Sequence, residues 1–175
     1  GVNMRGTGCS GGVFDVFSPA QAADGYDVVE TVARQPWVLH GRPGMVGLSY
    51  PGISQLYVAS TRPPHLAAIT PLSVYDDTIR GVLAPGGVVN TGFAVSWVRA
   101  VLRDAQPSGA PWVRTVIDER HDTQCAANQR MRLQNVDLAS AASRGVSRSE
   151  ARALSPIASA DRIGVPVFLG CAWQD

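Results

Sequence analysis

The sequence predicts an α/β protein: a parallel sheet with helices on both faces, into which a helical segment is inserted. Three observations carry this. Short apolar runs at 45–48, 66–72 and 165–170 have the length and the Gly/Pro borders of buried strands. Segments 24–35 and 51–61 place their apolar residues at helical intervals between those runs. Residues 76–156 then carry helical patterning and no strand signal. Strand alternating with helix is the pattern of a parallel sheet, because each crossover must return the chain to the same edge.

The elements follow in order. Residues 2–5 read as a short strand that enters the glycine-rich loop Gly6-Thr7-Gly8-Cys9-Ser10-Gly11-Gly12. A helix is expected over 24–35, with Tyr26, Val29, Val32 and Ala33 on its apolar face, Asp24 as N-cap and Pro36 as terminator. Strand 45–48, helix 51–61, the Arg62-Pro63-Pro64-His65 loop and strand 66–72 come next. Pro85-Gly86-Gly87 makes a break. Phe93, Trp97, Val98, Val101 and Leu102 then form an apolar helical stripe. A more polar helical region spans 112–138, and a short helix spans 149–154. These readings divide the chain into a core at 1–75, a helical cap at 76–156 that would lie over the strand ends, and a return to the sheet at 157–175.

Composition bounds the function. The chain has 175 residues, 45% hydrophobic and 17% charged, enough for one domain with a substantial core. Its formal charge of +1, with arginine as the only basic side chain apart from histidine, points to neither nucleic acid nor an anionic membrane as partner. No apolar run is long enough to span a bilayer. Cys9, Cys125 and Cys171 are odd in number and irregularly spaced, so no disulfide framework is expected, and a reducing, cytoplasmic setting is mildly favoured. His121 and Cys125 would share a helix face, but no second ligand pair accompanies them, so neither metal nor cofactor is expected. The chain opens on strand-like Gly1-Val2-Asn3-Met4 and stops at Asp175 after another strand-like run, as a piece of a longer protein would.

The most informative stretch is Gly47-Leu48-Ser49-Tyr50-Pro51-Gly52, set between a strand and a helix. A serine in a sharp strand-to-helix turn between glycines matches a nucleophile elbow, which lifts the hydroxyl above the sheet and aims the first helical amides at its target. Against G-x-S-x-G the second glycine comes one place late, with Pro51 where it was expected; proline suits the first turn of a helix, where its missing N–H has no partner. A glycine-rich turn with an incidental serine is the plainer alternative. Asp175, after a strand that would lie beside the elbow strand, stands where α/β-hydrolases carry the acid of the Ser–acid–His order. His40, His65 and His121 all precede it and are better read as surface or packing histidines.

Gly6-Thr7-Gly8-Cys9-Ser10-Gly11 also fits G-x-G-x-x-G, with Glu30 at about the right distance for a ribose ligand. This is the rival reading, a dinucleotide-binding oxidoreductase. The aromatic and β-branched residues 13–17 and Pro19 stand where that fold opens its helix, which argues against it.

Together, Asn3-Met4-Arg5-Gly6-Thr7-Gly8-Cys9-Ser10-Gly11-Gly12, the blocks Asp24-Gly25-Tyr26-Asp27, Gln35-Pro36-Trp37 and Gly44 to Gly52, and Phe168 to Asp175 resemble the X-prolyl dipeptidyl-peptidase family S15, with its CocE/NonD ester hydrolases. The late glycine is regular in that family's G-x-S-Y-x-G. The resemblance implies part of an α/β-hydrolase fold with a helical cap. It implies Ser49 as nucleophile, Asp175 as triad acid and the Tyr50 N–H as one oxyanion donor. The family's histidine and its second oxyanion donor, a tyrosine hydroxyl, have no counterpart in these residues, so they are expected to show negligible turnover by themselves. Substrates would be small esters or peptides. Asp76 and Asp77 are candidates to receive a substrate ammonium, or else helix caps, and Phe93 and Trp97 are candidates to line an acyl pocket, or else core of the cap. A catalytically inactive binding or scaffold module is the alternative from another class.

Overall fold

The structure is a computed structural model that describes residues 2–134 and 145–170. The candidate acid Asp175 and Cys171 lie outside the described residues. The chain divides into two compact units, one of residues 1–16 with 88–147, the other of residues 17–87 with 148–175.

The second unit holds the sheet. Helix α1 (Pro19–Ala33) begins earlier than its apolar spacing predicts. Ser18 is the N-cap rather than Asp24: its Oγ accepts the N–H of Gln21 at 3.3 Å, and Pro19 takes the first helical position. Strand β1 (Met45–Leu48) leads directly into α2 (Tyr50–Ser60), and β2 (Ile69–Leu72) pairs parallel to β1 with Met45 opposite Ile69 and Leu48 opposite Leu72. The expected strand at 66–72 is thus shortened. The expected strand at 165–170 reduces to two parallel bridges, Ile69 with Val167 and Leu72 with Gly170. Proline is the cause, since Pro71 and Pro166 have no N–H to give to a ladder. The carbonyl of Pro166 still accepts Ile69 N–H at 3.0 Å, and that of Pro71 accepts Gly170 N–H at 3.3 Å. A short helix α6 (Arg148–Ala153) and a 3-10 stretch (Pro156–Arg162) complete the unit, which also contains a single wide turn at Ile79–Leu83.

Its core gathers Val29 from α1, Val58 and Ala59 from α2, and Leu66 and Ile69, with Met45, Leu56, Ile163 and Val165 against them. The two helices meet at Gly25, where a Cβ would lie 2.2 Å from Val58 Cγ2. The core takes the β1 face bearing Met45. The other face, with Val46 and Leu48, is exposed, as are Phe168 and Leu169. The expectation of helices on both faces is therefore met on one side of β1 among the described residues, and the parallel β–α–β core stands.

In the first unit, the expected strand at 2–5 does not form. The chain turns instead: Thr7 N–H bonds Met4 O at 3.1 Å and Ser10 Oγ donates to Asn3 O at 2.8 Å. Helix α3 (Phe93–Asp104) follows the predicted stripe. The polar region splits into α4 (Pro111–Asp118) and α5 (Thr123–Gln129), followed by a 3-10 turn at Arg130–Gln134. The break falls at His121, with φ of 54°, and Asp122, whose Oδ1 caps Cys125 N–H at 2.8 Å. His121 and Cys125 therefore do not share a helix face. Cys125 is instead bonded to Cys9 in a disulfide across a sequence separation of 116. This corrects the expectation of no disulfide; count and spacing could not show that the glycine loop folds back onto α5. Reduction is expected to destabilise this unit by about 3 kcal/mol, read as a fall in melting temperature that a Cys9→Ser/Cys125→Ser variant no longer shows on adding reductant.

Candidate active site

Ser49 is the last residue before α2, with φ of 60° and ψ of −125°. That backbone region belongs to glycine, and a serine there costs of order 1–3 kcal/mol. The surroundings enforce it. Ser49 N–H donates to Leu72 O at 2.9 Å, closing the β1–β2 ladder, and Ser49 O accepts Ile53 N–H at 2.8 Å, opening the helix. Between these two bonds the chain reverses within one residue. Both glycines are required by space. A Cβ at Gly47 would lie 2.7 Å from the Pro51 Cβ and carbonyl carbon, and one at Gly52 would lie 2.7 Å from Leu72 O and 2.8 Å from Gly47 O. The glycine three residues after the serine, irregular against the general pattern, is the one that touches both strands.

The hydroxyl of Ser49 is exposed and makes no capping hydrogen bond to α2. Tyr50 is the first helical residue, so its N–H belongs to the amides that have no carbonyl partner within the helix. The positive end of the helix dipole lies there too. Behind the turn, Gln55 is buried and bonds both neighbours: Oε1 accepts Thr70 N–H at 3.0 Å, and Nε2 donates to Pro51 O at 2.9 Å. An exposed serine in a strained turn at a helix N-terminus has the geometry of a nucleophile elbow, which needs a base to activate the hydroxyl.

The profile of the X-Pro dipeptidyl-peptidase (S15) family matches residues 1–175. The chain belongs to that family. It is 30% identical over 99 residues to two mycobacterial proteins that carry a provisional serine-esterase name, one from Mycobacterium bovis and one from Mycobacterium tuberculosis. That stretch is 56% of this chain and 16% of theirs. Two crystal structures of a CocE/NonD family hydrolase from Staphylococcus aureus superpose with TM-scores of 0.67 and 0.68 at 27% identity, covering 93% of this chain and 25% of that one. The chain thus spans well under a third of the length of these relatives.

Within this S15-family chain, Ser49 and Tyr50 follow β1 directly, whereas Asp76 and Asp77 come four and five residues after the end of β2. His40 and His65 precede β1 and β2, hence lie at the opposite, amino ends. His65 is further engaged with Glu30: Nδ1 lies 2.6 Å from Oε2, and its N–H donates to Oε1 at 3.2 Å. Burial would raise the Glu30 pKa, but the His65 contacts and charge outweigh it and hold the carboxyl below its ordinary value. Glu30 is thereby a partner of His65 rather than a ribose ligand. The glycine loop gives no dinucleotide cradle either. Its carbonyls face side chains, with Gly8 O accepting from Gln129 Nε2 and Arg132 Nη2 at 2.8 Å each, and no helix opens after it before Pro19. Gly6, at φ of 70°, packs so closely that a Cβ would reach 2.0 Å from Phe14 N.

Asp77 Oδ1 accepts the N–H groups of Ile79 and Arg80 at 2.8 and 2.9 Å. The Arg80 N–H is the main cause that holds its carboxyl below the usual aspartate range. Asp76 is exposed, and its carbonyl accepts Ile157 N–H at 3.1 Å. Phe93, exposed, and Trp97, half-buried, are in the first unit. Among the described residues no group of three or more His, Cys, Asp or Glu could hold a metal ion, and no helix is long and apolar enough to cross a membrane.

Sequence reasoning missed Phe17, Gln21 and Gln55. Gln55 had one signal, a polar residue on the inward face of a helix otherwise marked by Ile53 and Val58.

Proposed function

We propose that the native protein is a serine hydrolase of esters or amides, acting on acyl esters or Xaa-Pro peptides through an acyl-enzyme on Ser49. The observation that carries this reading is the φ of 60° at an exposed serine between strand and helix, supported by membership of the S15 family and by the hydrolase names of its relatives. Ser49 Oγ attacks the carbonyl carbon as a histidine accepts its proton. The Tyr50 N–H receives the developing oxyanion. The histidine then returns the proton to the leaving group, and water hydrolyses the acyl-enzyme by the same route. Asp175 is proposed as the carboxylate that orients that histidine. In the full gene product a fluorophosphonate probe should label Ser49 stoichiometrically; an unlabelled serine would refute the reading and leave the binding-module alternative.

Asp76 and Asp77 are proposed to receive the ammonium of aminoacyl substrates. Since Asp77 already serves two amides, Asp76 carries more of this role. Replacing both by asparagine should then raise KM for an aminoacyl ester about tenfold and leave a simple acetyl ester unchanged. Equal loss on both substrates would assign the aspartates to the turn alone.

A further inference from the structure

The side chain that follows the nucleophile is clamped on both its ring and its hydroxyl. Tyr50 Oη donates to Gln21 Oε1 at 3.1 Å and accepts Phe17 N–H at 3.4 Å. Its ring stacks on Phe17 with centroids 4.3 Å apart and planes at 22°. Phe17 in turn stacks on Tyr57 at 5.1 Å and 16°. Tyr50 and Tyr57 are seven residues apart on α2 and so share one face, and Phe17 is the slice between them. Phe17 is 5% exposed and holds φ of 49°, a region that bulky residues rarely adopt. Gln21 is 8% exposed and sits in the first turn of α1, where its N–H is bonded to the Ser18 cap. Both partners of the hydroxyl are therefore buried and lie at the start of α1, Gln21 in its first turn and Phe17 just before the Ser18 cap.

We infer that this clamp makes Tyr50 a positioning residue: its side chain holds the first turn of α2, and with it the backbone N–H proposed as oxyanion donor, in place, and Phe17 and Gln21 act through it. The inference rests on the hydrolase reading above. The physical link is short. The Tyr50 Cα carries both the clamped side chain and the N–H, so the Gln21 bond, the Phe17 bond and the Phe17 ring, all from outside α2, limit how far the first turn of the helix, and the amide with it, can shift. The half-buried hydroxyl uses both its donor and its acceptor on partners outside α2, which ties the start of that helix to its neighbour.

The test uses the full gene product, with rates counted per fluorophosphonate-labelled Ser49. Tyr50→Phe keeps the ring stack and removes both polar contacts; Gln21→Met removes one partner from the other side. Each is expected to lower kcat on p-nitrophenyl acetate about tenfold, with KM within about twofold. Each should weaken an arylboronic acid, which mimics the tetrahedral intermediate, by a similar factor. The double variant should lose little more than either single one, because both break the same contact. If Tyr50→Phe leaves kcat and boronate affinity within about twofold of the parent, or if the loss appears only in KM or melting temperature, the clamp is structural and the inference fails. If the unsubstituted protein is not labelled at Ser49, the hydrolase reading falls and takes the inference with it.

Discussion

Ser49→Ala in the full gene product is expected to abolish fluorophosphonate labelling and to lower ester hydrolysis by about a millionfold. The size follows from the role. A nucleophile and its base act as a unit, so losing the oxygen removes the whole covalent path and leaves only binding and the oxyanion amide. The local geometry adds a second, independent expectation. Ser49 occupies φ of 60° and ψ of −125°, so alanine keeps the strain whereas glycine releases it. Ser49→Gly should therefore be as inactive as Ser49→Ala but more stable by about 1 kcal/mol, read from denaturant midpoints. A Ser49→Ala protein that turns over esters at the parental rate would show that the elbow is a structural turn.

Gly52→Ala is expected to destabilise the second unit by about 3 kcal/mol and to remove Ser49 reactivity with it. An alanine is normally better than glycine in a helix by about 1 kcal/mol, so the sign of this effect is diagnostic. The added methyl would meet Leu72 O at 2.7 Å and Gly47 O at 2.8 Å. Neither is a flexible side chain that can swing aside. Leu72 O is the acceptor of Ser49 N–H at 2.9 Å, so relief of the clash opens the bond that pins Ser49. Denaturant melts together with labelling rates check this; a stabilised, fully labelled Gly52→Ala would mean that α2 does not approach the strands so closely.

Both effects arise where local sequence is unambiguous. The elbow, strand 45–48 and helix α2 fall where the residues place them, because each carries a signal in adjacent residues: a β-branched or apolar run, a proline at the first helical turn, glycines at the crossing. Helix α1 was legible in existence but not in its start. The apolar spacing begins after Asp24, while the actual cap is the Ser18–Pro19 pair, a signal of turn chemistry rather than periodicity. The strand expected over 165–170 had the right composition, yet its pairing depended on Pro71 in a distant neighbour. The polar helix over 112–138 divides because His121 turns to positive φ and Asp122 caps the next helix. A hydrophobic count does not register either.

Ser49 as candidate nucleophile, the glycines on either side of it, the parallel strand–helix–strand order and the family of the chain were determined by the amino-acid sequence alone. Each is written in adjacent residues, and local sterics restrict what such residues can do. Only the tertiary structure decided that Cys9 joins Cys125, that Glu30 belongs to His65, and that Tyr50 bonds Phe17 and Gln21 at the start of α1. These pairings bring together residues far apart in the chain, and their partners are chosen by how helices and loops pack, a property that no local spacing encodes.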